Sequence, residues 1–134
     1  MFAAMLFAIS IVALSQFALY YWRAVLAGVA AQPVSDRVLA AARVENGRFS
    51  PKDFQTLAGL HDLTPELYRT GGGIGLVRLY YHFAKAVDAL AGSRMPLLAA
   101  WSERERVICA RYAAVQIDRR LQANLALSAS LRSC

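Results

Sequence analysis

The sequence predicts an all-α protein, with one N-terminal transmembrane helix followed by a small helical domain that ends in a long C-terminal helix. Residues 2–22 carry no charged side chain. Across the rest of the chain, apolar residues recur every three or four positions between proline and glycine residues, a period typical of helices. Residues 97–131 contain neither proline nor glycine, so nothing in that stretch is expected to end a helix.

The first predicted element is a membrane span over residues 2–22. A helix of this length measures roughly 31 Å, which matches the hydrocarbon thickness of a bilayer. Three aromatic residues followed by Arg23 close the run, an arrangement common where a span meets the headgroup layer. Residues 24–31 remain apolar, so we expect residues 1–31 to form the transmembrane helix with an interfacial extension, and residues 32–134 to form a separate domain.

Two other interpretations of the first helix are open. Small residues before Gln32 are compatible with the cleavage site of a secretory signal, although no Lys or Arg precedes the apolar run and the run is long for a signal. A core helix of a soluble protein would need more chain to cover it on all sides.

The span carries a narrow stripe of mostly small residues that a neighbouring transmembrane helix could approach closely. Its members are Ala4, Ala8, Ile11, Ser15, Ala18 and Trp22.

The charge distribution predicts how the protein is oriented. Fifteen basic residues oppose nine acidic ones, giving a net charge of +6, and no Lys or Arg precedes Arg23. By the positive-inside rule, we expect the N-terminus outside and the C-terminal domain in the cytoplasm, as in a bacterial inner membrane. Acidic residues interrupt the arginines, so no basic stripe suited to nucleic acid forms, and contact with lipid headgroups is the more natural use of the charge.

Short helices are predicted to follow the span, over residues 34–45, 51–61 and 65–70. Ser50-Pro51 is a strong helix start, with Ser50 at the N-cap and Pro51 at the first helical position. Asn46-Gly47 is suited to end the preceding helix in a left-handed conformation.

Two longer helices complete the fold, over residues 74–91 and 96–131. In the first, a heptad-spaced seam that includes Leu76, Leu79 and Phe83 adjoins a second apolar face, so we expect two neighbours. In the second, the Glu/Arg mixture of the front half predicts a solvated face, whereas the weakly amphipathic end is expected to lie against a partner or the membrane.

A glycine-rich segment, residues 71–75, opens the helix predicted over 74–91. Backbone amides at a helix N-terminus attract anions, so Gly73 and Gly75, with Arg78 and Lys85, are candidates for an anion or headgroup contact. The segment lacks the spacing of a nucleotide-binding loop, and a hinge with a helix cap explains it more simply.

The candidates for chemistry are few. His61 and His82 are the only histidines and could ligate haem or a chlorophyll-type pigment, although an ordinary histidine is commoner at such positions. Cys109 lies on the apolar side of its helix, which favours a core thiol over a nucleophile paired with His82. We therefore expect no enzyme, no metal and no resident cofactor.

Three functional hypotheses follow. The first is a non-catalytic, single-pass accessory or structural subunit that docks larger subunits of a membrane complex, for example an energy-transducing, respiratory or photosynthetic one, or that forms a homo-oligomer. The second is a membrane-anchored binder of anionic lipid or a soluble ligand through Gly73, Gly75, Arg78 and Lys85. The third is a haem or pigment carrier through His61 or His82.

Overall fold

The computed structural model describes residues 1–65 and 73–134, and this part of the chain forms five α-helices and two 3-10 turns without a strand. The all-α fold with a long apolar N-terminal helix and a long C-terminal helix is thereby confirmed. The helices are α1 (Phe2–Ala30), α2 (Asp36–Ala41), α3 (Asp53–Leu63), α4 (Ile74–Ala91) and α5 (Pro96–Arg132). The turns are Glu45–Gly47 and Gly92–Arg94.

Helix α1 is long and apolar enough to cross a membrane, although a signal sequence would meet the same criterion. Its most apolar stretch has no buried residue, so α1 is not a core helix within this chain. Only Leu26 and Ala30, beyond the predicted span, are buried against the rest of the chain. The Ser15 hydroxyl donates to the Val12 carbonyl at 2.8 Å, which satisfies that polar group within the helix.

Helix α5 is the centre of the domain. Every residue from Cys109 to Asp118 except Arg111 is buried, so this part of the helix is covered on most sides. It packs against α1, α2, α3 and α4. The small side chains of Ala110, Ala113 and Ala114 are fully buried and allow close approach of the neighbouring helices.

The helix directions follow from four long-range contacts. Arg23 on α1 pairs with Glu105, and the Ser35 hydroxyl bonds Asp118 at 2.5 Å, so α1 and α5 advance in the same direction. Ser102 donates to the carbonyl of Ala84 at 2.6 Å. Because Tyr80, earlier on α4, meets Glu105, later on α5, α4 runs antiparallel to α5. The connection between α4 and α5 therefore lies at the end of the domain nearest to the span.

The helix predicted over residues 34–45 is shorter than expected. It ends at Ala41, because Arg43 takes a left-handed conformation with φ of 54°. The expected left-handed Asn46-Gly47 pair is present, at φ of 55° and 68°, but inside a separate 3-10 turn. Arginine gives no sequence signal for such a conformation, which usually favours glycine or asparagine.

The helix predicted over residues 51–61 begins later, at Asp53. Ser50 and Pro51 belong to a turn, in which the amide of Asp53 donates to the Ser50 carbonyl at 3.0 Å. The Asp53 carboxylate accepts the Ser50 amide at 2.6 Å. The prediction of Ser50 as the N-cap is thus wrong, because proline fits the start of a turn as well as the start of a helix. Apart from its first position, the helix predicted over residues 65–70 lies outside the described residues.

The two longer helices were well predicted. Gly73 is the N-cap of α4, as the cap interpretation of the glycine-rich segment expects, and the remaining glycines before it fall outside the described residues. Gly92, with φ of 46°, ends α4, and Pro96 occupies the first turn of α5. The solvated front face of α5 is correct for Glu103 and Arg104, which are exposed, but wrong for Glu105, which is buried.

Candidate functional site: a groove beside the predicted span

An open apolar concavity of about 760 Å³ lies between α1 and α4. Both walls are almost entirely hydrocarbon. Residues from α1 and α4 line it, namely Ser15, Ala18, Leu19, Trp22, Leu76, Leu79, Tyr80 and Phe83. We call this surface the span groove.

The α4 wall of the span groove is an exposed apolar face. Leu76, Leu79 and Phe83 are 59%, 69% and 53% exposed, although side chains of this kind are normally buried. The opposite face of α4 is buried, and its members include Val77 and Ala84. The two apolar faces predicted for this helix are therefore real, and only one has a neighbour among the described residues.

The α1 wall contains half of the predicted small-residue stripe. Ser15, Ala18 and Trp22 line the span groove. The other three members, Ala4, Ala8 and Ile11, are exposed nearer the N-terminus. The stripe therefore faces the groove at one end, where the small side chains of Ser15 and Ala18 allow another helix to approach.

A buried carboxylate next to the span groove links the helices that form it. Glu105 is 1% exposed and accepts two hydrogen bonds, from the Arg23 guanidinium at 2.5 Å and from the Tyr80 hydroxyl at 2.7 Å. The Arg23 guanidinium also lies 6.0 Å from the centre of the Trp101 ring, within reach of a cation–π interaction. One charged group thus ties together α1, α4 and α5.

The electrostatics of this cluster hold its neighbours in their neutral forms. Burial, together with the hydrogen bond to Glu105, raises the pKa of Tyr80. Burial, followed by the charge of Glu105, raises the pKa of Cys109 to about 12. Cys109 is fully buried within the core, which confirms it as a core residue.

Sequence analysis did not identify Glu105 and Tyr80 as partners of Arg23. The signal was present in the spacing of α5, where Ser102, Glu105, Cys109 and Tyr112 follow each other at intervals of three and four and are all buried. Because Ser102 and Glu105 are polar, these four positions do not form an apolar seam and give no periodic hydrophobic signal.

The candidate anion residues are not gathered into one site. The Arg78 guanidinium pairs with the Asp62 carboxylate at 2.5 Å and donates to the Ala58 carbonyl at 3.1 Å, so an anion would compete with both. Lys85 and Gly75 are exposed on α4. Gly73 caps the helix.

The two histidines occupy different environments. His61 is buried, and burial, followed by the charge of Arg120, lowers its pKa. Its Nδ1 lies 3.7 Å from the Asp62 carboxylate, too far for a good hydrogen bond, and no described residue bonds either ring nitrogen. His82 is exposed on α4, and the centre of its ring lies 5.8 Å from the centre of the Tyr81 ring in an edge-on arrangement.

No group of three or more His, Cys, Asp or Glu residues in the described ranges could hold a metal ion. The arrangement combines an apolar groove with a nearby buried carboxylate that is paired on both oxygens, and such a surface is suited to binding another apolar surface. No protein-family model, curated protein or solved structure matches the chain, so its function is inferred from these residues alone.

Proposed function

We propose that this protein is a non-catalytic, single-pass accessory subunit of a larger membrane complex, and that the span groove receives a transmembrane helix of a partner subunit. The observation that carries the proposal is the groove itself. An exposed leucine and phenylalanine face on α4 stands opposite small residues of α1, with hydrocarbon on both sides.

The chemistry of the groove favours an apolar helix as its occupant. Helices in a bilayer associate through close packing at small residues, and Ser15 and Ala18 supply such a surface. The long side chains of Leu79 and Phe83 form the opposite wall and would interlock with a helix laid between them.

The contacts of α1 with the domain support an uncleaved helix. Leu26 is 1% exposed in the core, and Arg23 carries the counter-charge of Glu105. Cleavage before Gln32 would remove both residues and leave a buried carboxylate without its cation, which is strongly unfavourable.

In the proposed orientation the N-terminus is outside and the domain lies in the cytoplasm. All fifteen basic residues of the chain lie at or beyond Arg23, and by the positive-inside rule this favours a cytoplasmic location for the part of the chain that follows the span.

The distal end of α5 provides a second surface for the same complex. Residues 125–134 are all exposed, and they include the apolar Leu125, Leu127 and Leu131. Asp118 lies level with Ser35, so the helix continues roughly 20 Å farther from the span before it ends at Arg132. Of the two expected contacts for this end, a soluble part of a partner is favoured over the membrane.

Native mass measurement of the tagged full chain, extracted gently from its own membranes, tests the proposal. We expect a complex heavier than the monomer, which Ala18→Phe disrupts because the new ring fills the span groove. Ala13→Phe is the matched control, since it makes the same change on the opposite face of α1, and it should leave the complex intact. A stable, monodisperse monomer in the unsubstituted protein would overturn the proposal.

A further inference from the structure

A second exposed apolar surface lies at the connection between α4 and α5. Leu90, Met95 and Leu97 are 87%, 56% and 86% exposed. These three residues, which we call the hairpin tip, surround the 3-10 turn Gly92–Arg94. None of the three lines the span groove, so a helix bound in that groove would not by itself cover them.

The helix register places the hairpin tip beside the predicted span. Glu105 lies level with Arg23, and α1 and α5 run in the same direction. Pro96 is nine positions before Glu105, so α5 begins roughly 13 Å closer to the N-terminal end of α1 than Arg23 does. This level corresponds to the middle of the span, near Leu14.

A cavity between α1 and α4 also places the end of α4 beside the span. Phe83, seven residues before Leu90, lines a small cavity with Gln16 and Leu19 of α1. Because α4 runs towards the N-terminal end of α1, Leu90 lies deeper still. If residues 2–22 cross the hydrocarbon and Arg23 marks its edge, the hairpin tip stands at the depth of acyl chains.

We propose that the hairpin tip inserts into the membrane leaflet from which α1 emerges, with Leu90, Met95 and Leu97 against phospholipid acyl chains. The chain thus contacts the hydrocarbon of the membrane at two places, through the spanning helix α1 and through the hairpin tip. This inference goes beyond the accessory role and does not depend on which partner fills the span groove.

The polar groups near the hairpin tip are compatible with this depth. The amide of Gly92 donates to the Asp88 carbonyl, and the amides of Leu98 and Ala99 donate to Met95, so the backbone at the turn is partly satisfied internally. Asp88 is paired with Arg106 at 3.0 Å.

The cations near the tip also fit a leaflet position. Lys85 is exposed on α4, between the level of Arg23 and the tip, and its long side chain can extend back towards the headgroup phosphates. Arg94 is exposed in the turn, and its long side chain can extend towards the same phosphates while its stem remains in the apolar layer.

Depth-dependent quenching in phosphatidylcholine vesicles tests the proposal on the full chain. Cys134→Ser removes the exposed thiol, and Cys109 is buried, so one new cysteine can carry a polarity-sensitive fluorophore. The labelled positions are Met95→Cys and, separately, Leu97→Cys. Leu14→Cys is the control within the span, and Leu131→Cys is the control at the distal end of α5.

The proposal predicts that labels at positions 95 and 97 lose emission when nitroxide-bearing lipid is added, as the label at position 14 does, and resist aqueous iodide. The label at position 131 should show the reverse. Quenching of both tip labels by iodide would overturn the proposal. Protection from both quenchers would also overturn it, because it would show that a second copy of the chain covers the tip.

Discussion

The Arg23 guanidinium holds the carboxylate of Glu105, although the two residues lie 82 positions apart. Arg23 is the first charge after the predicted span, and Glu105 lies within the central helix of the domain. Because Tyr80 bonds the second carboxylate oxygen, the exit of the span, α4 and α5 are fixed to one another. The span groove and the hairpin tip both owe their positions to this junction.

Removing the cation should destabilise the domain. Arg23→Met leaves the buried carboxylate with Tyr80 as its one remaining hydrogen-bond donor among the described residues. We expect the free energy of unfolding to fall by about 1–3 kcal/mol, because Arg23 is itself partly exposed and water screens the pair. Denaturant unfolding followed by circular dichroism in detergent measures the loss.

Two further variants separate the pair from a general effect of charge. Glu103→Gln changes an exposed acid on the same helix and should leave stability near that of the original chain. Adding Glu105→Gln to Arg23→Met should recover part of the loss, since no buried charge remains. A loss of equal size in Glu103→Gln would contradict the assignment.

The stability of the domain should fall in mild acid because of His61. Its pKa in the folded protein is lowered, whereas an unfolded histidine titrates near 6.5. As pH falls below about 6.5, the unfolded chain takes up a proton that the folded chain resists, so the free energy of unfolding decreases until the folded pKa is reached.

Unfolding curves measured between neutral and mildly acidic pH test this dependence. His61→Gln should flatten it, while His82→Gln, at an exposed position on α4, should retain it. The same slope in His61→Gln as in the original chain would show that another group is responsible.

The two cysteines should react at very different rates. Cys134 is exposed, whereas Cys109 is fully buried and its pKa is raised to about 12. A maleimide should therefore modify the native chain once, and the Cys134→Ser variant should be modified only after denaturation. Rapid labelling of native Cys134→Ser would contradict the buried position of Cys109.

Truncation after Asn124 should separate assembly from folding. Residues 125–134 are exposed, so we expect the free energy of unfolding to change by less than about 0.5 kcal/mol. The side chain of Asn124 is retained because it donates to the Pro65 carbonyl at 3.1 Å. If these residues contact a partner, the truncated chain should co-purify with less of it, and unchanged recovery would remove this surface from the proposal.

The elements with strong local signals were predictable from the sequence. Residues 2–22 are uncharged, Gly73 and Gly92 flank α4, and Pro96 begins α5. Composition and the positions of glycine and proline were therefore enough to predict these helices. Arg43 and Pro51 show the limit, because the first adopts a left-handed conformation without a favourable residue type and the second opens a turn where a helix start fits equally well.

The candidate site was predictable only in part. The small residues Ser15 and Ala18 indicated a contact face on α1, and Leu79 belonged to a seam expected to pack. The junction beneath them was not apparent, because the partners of Glu105 are 82 and 25 positions away and a mixed Glu/Arg segment resembles a solvated face. Long-range pairing of this kind leaves no local periodic signal.

Photo-crosslinking from within the span groove tests the central claim most directly. A photoreactive amino acid at Leu79, which is 69% exposed on the α4 wall, is introduced into the full chain in its native membranes. The same residue at Ala13, on the opposite face of α1, is the control. The accessory role predicts a covalent adduct with another membrane protein from position 79 and none from position 13. Adducts with lipid alone at position 79 would contradict it.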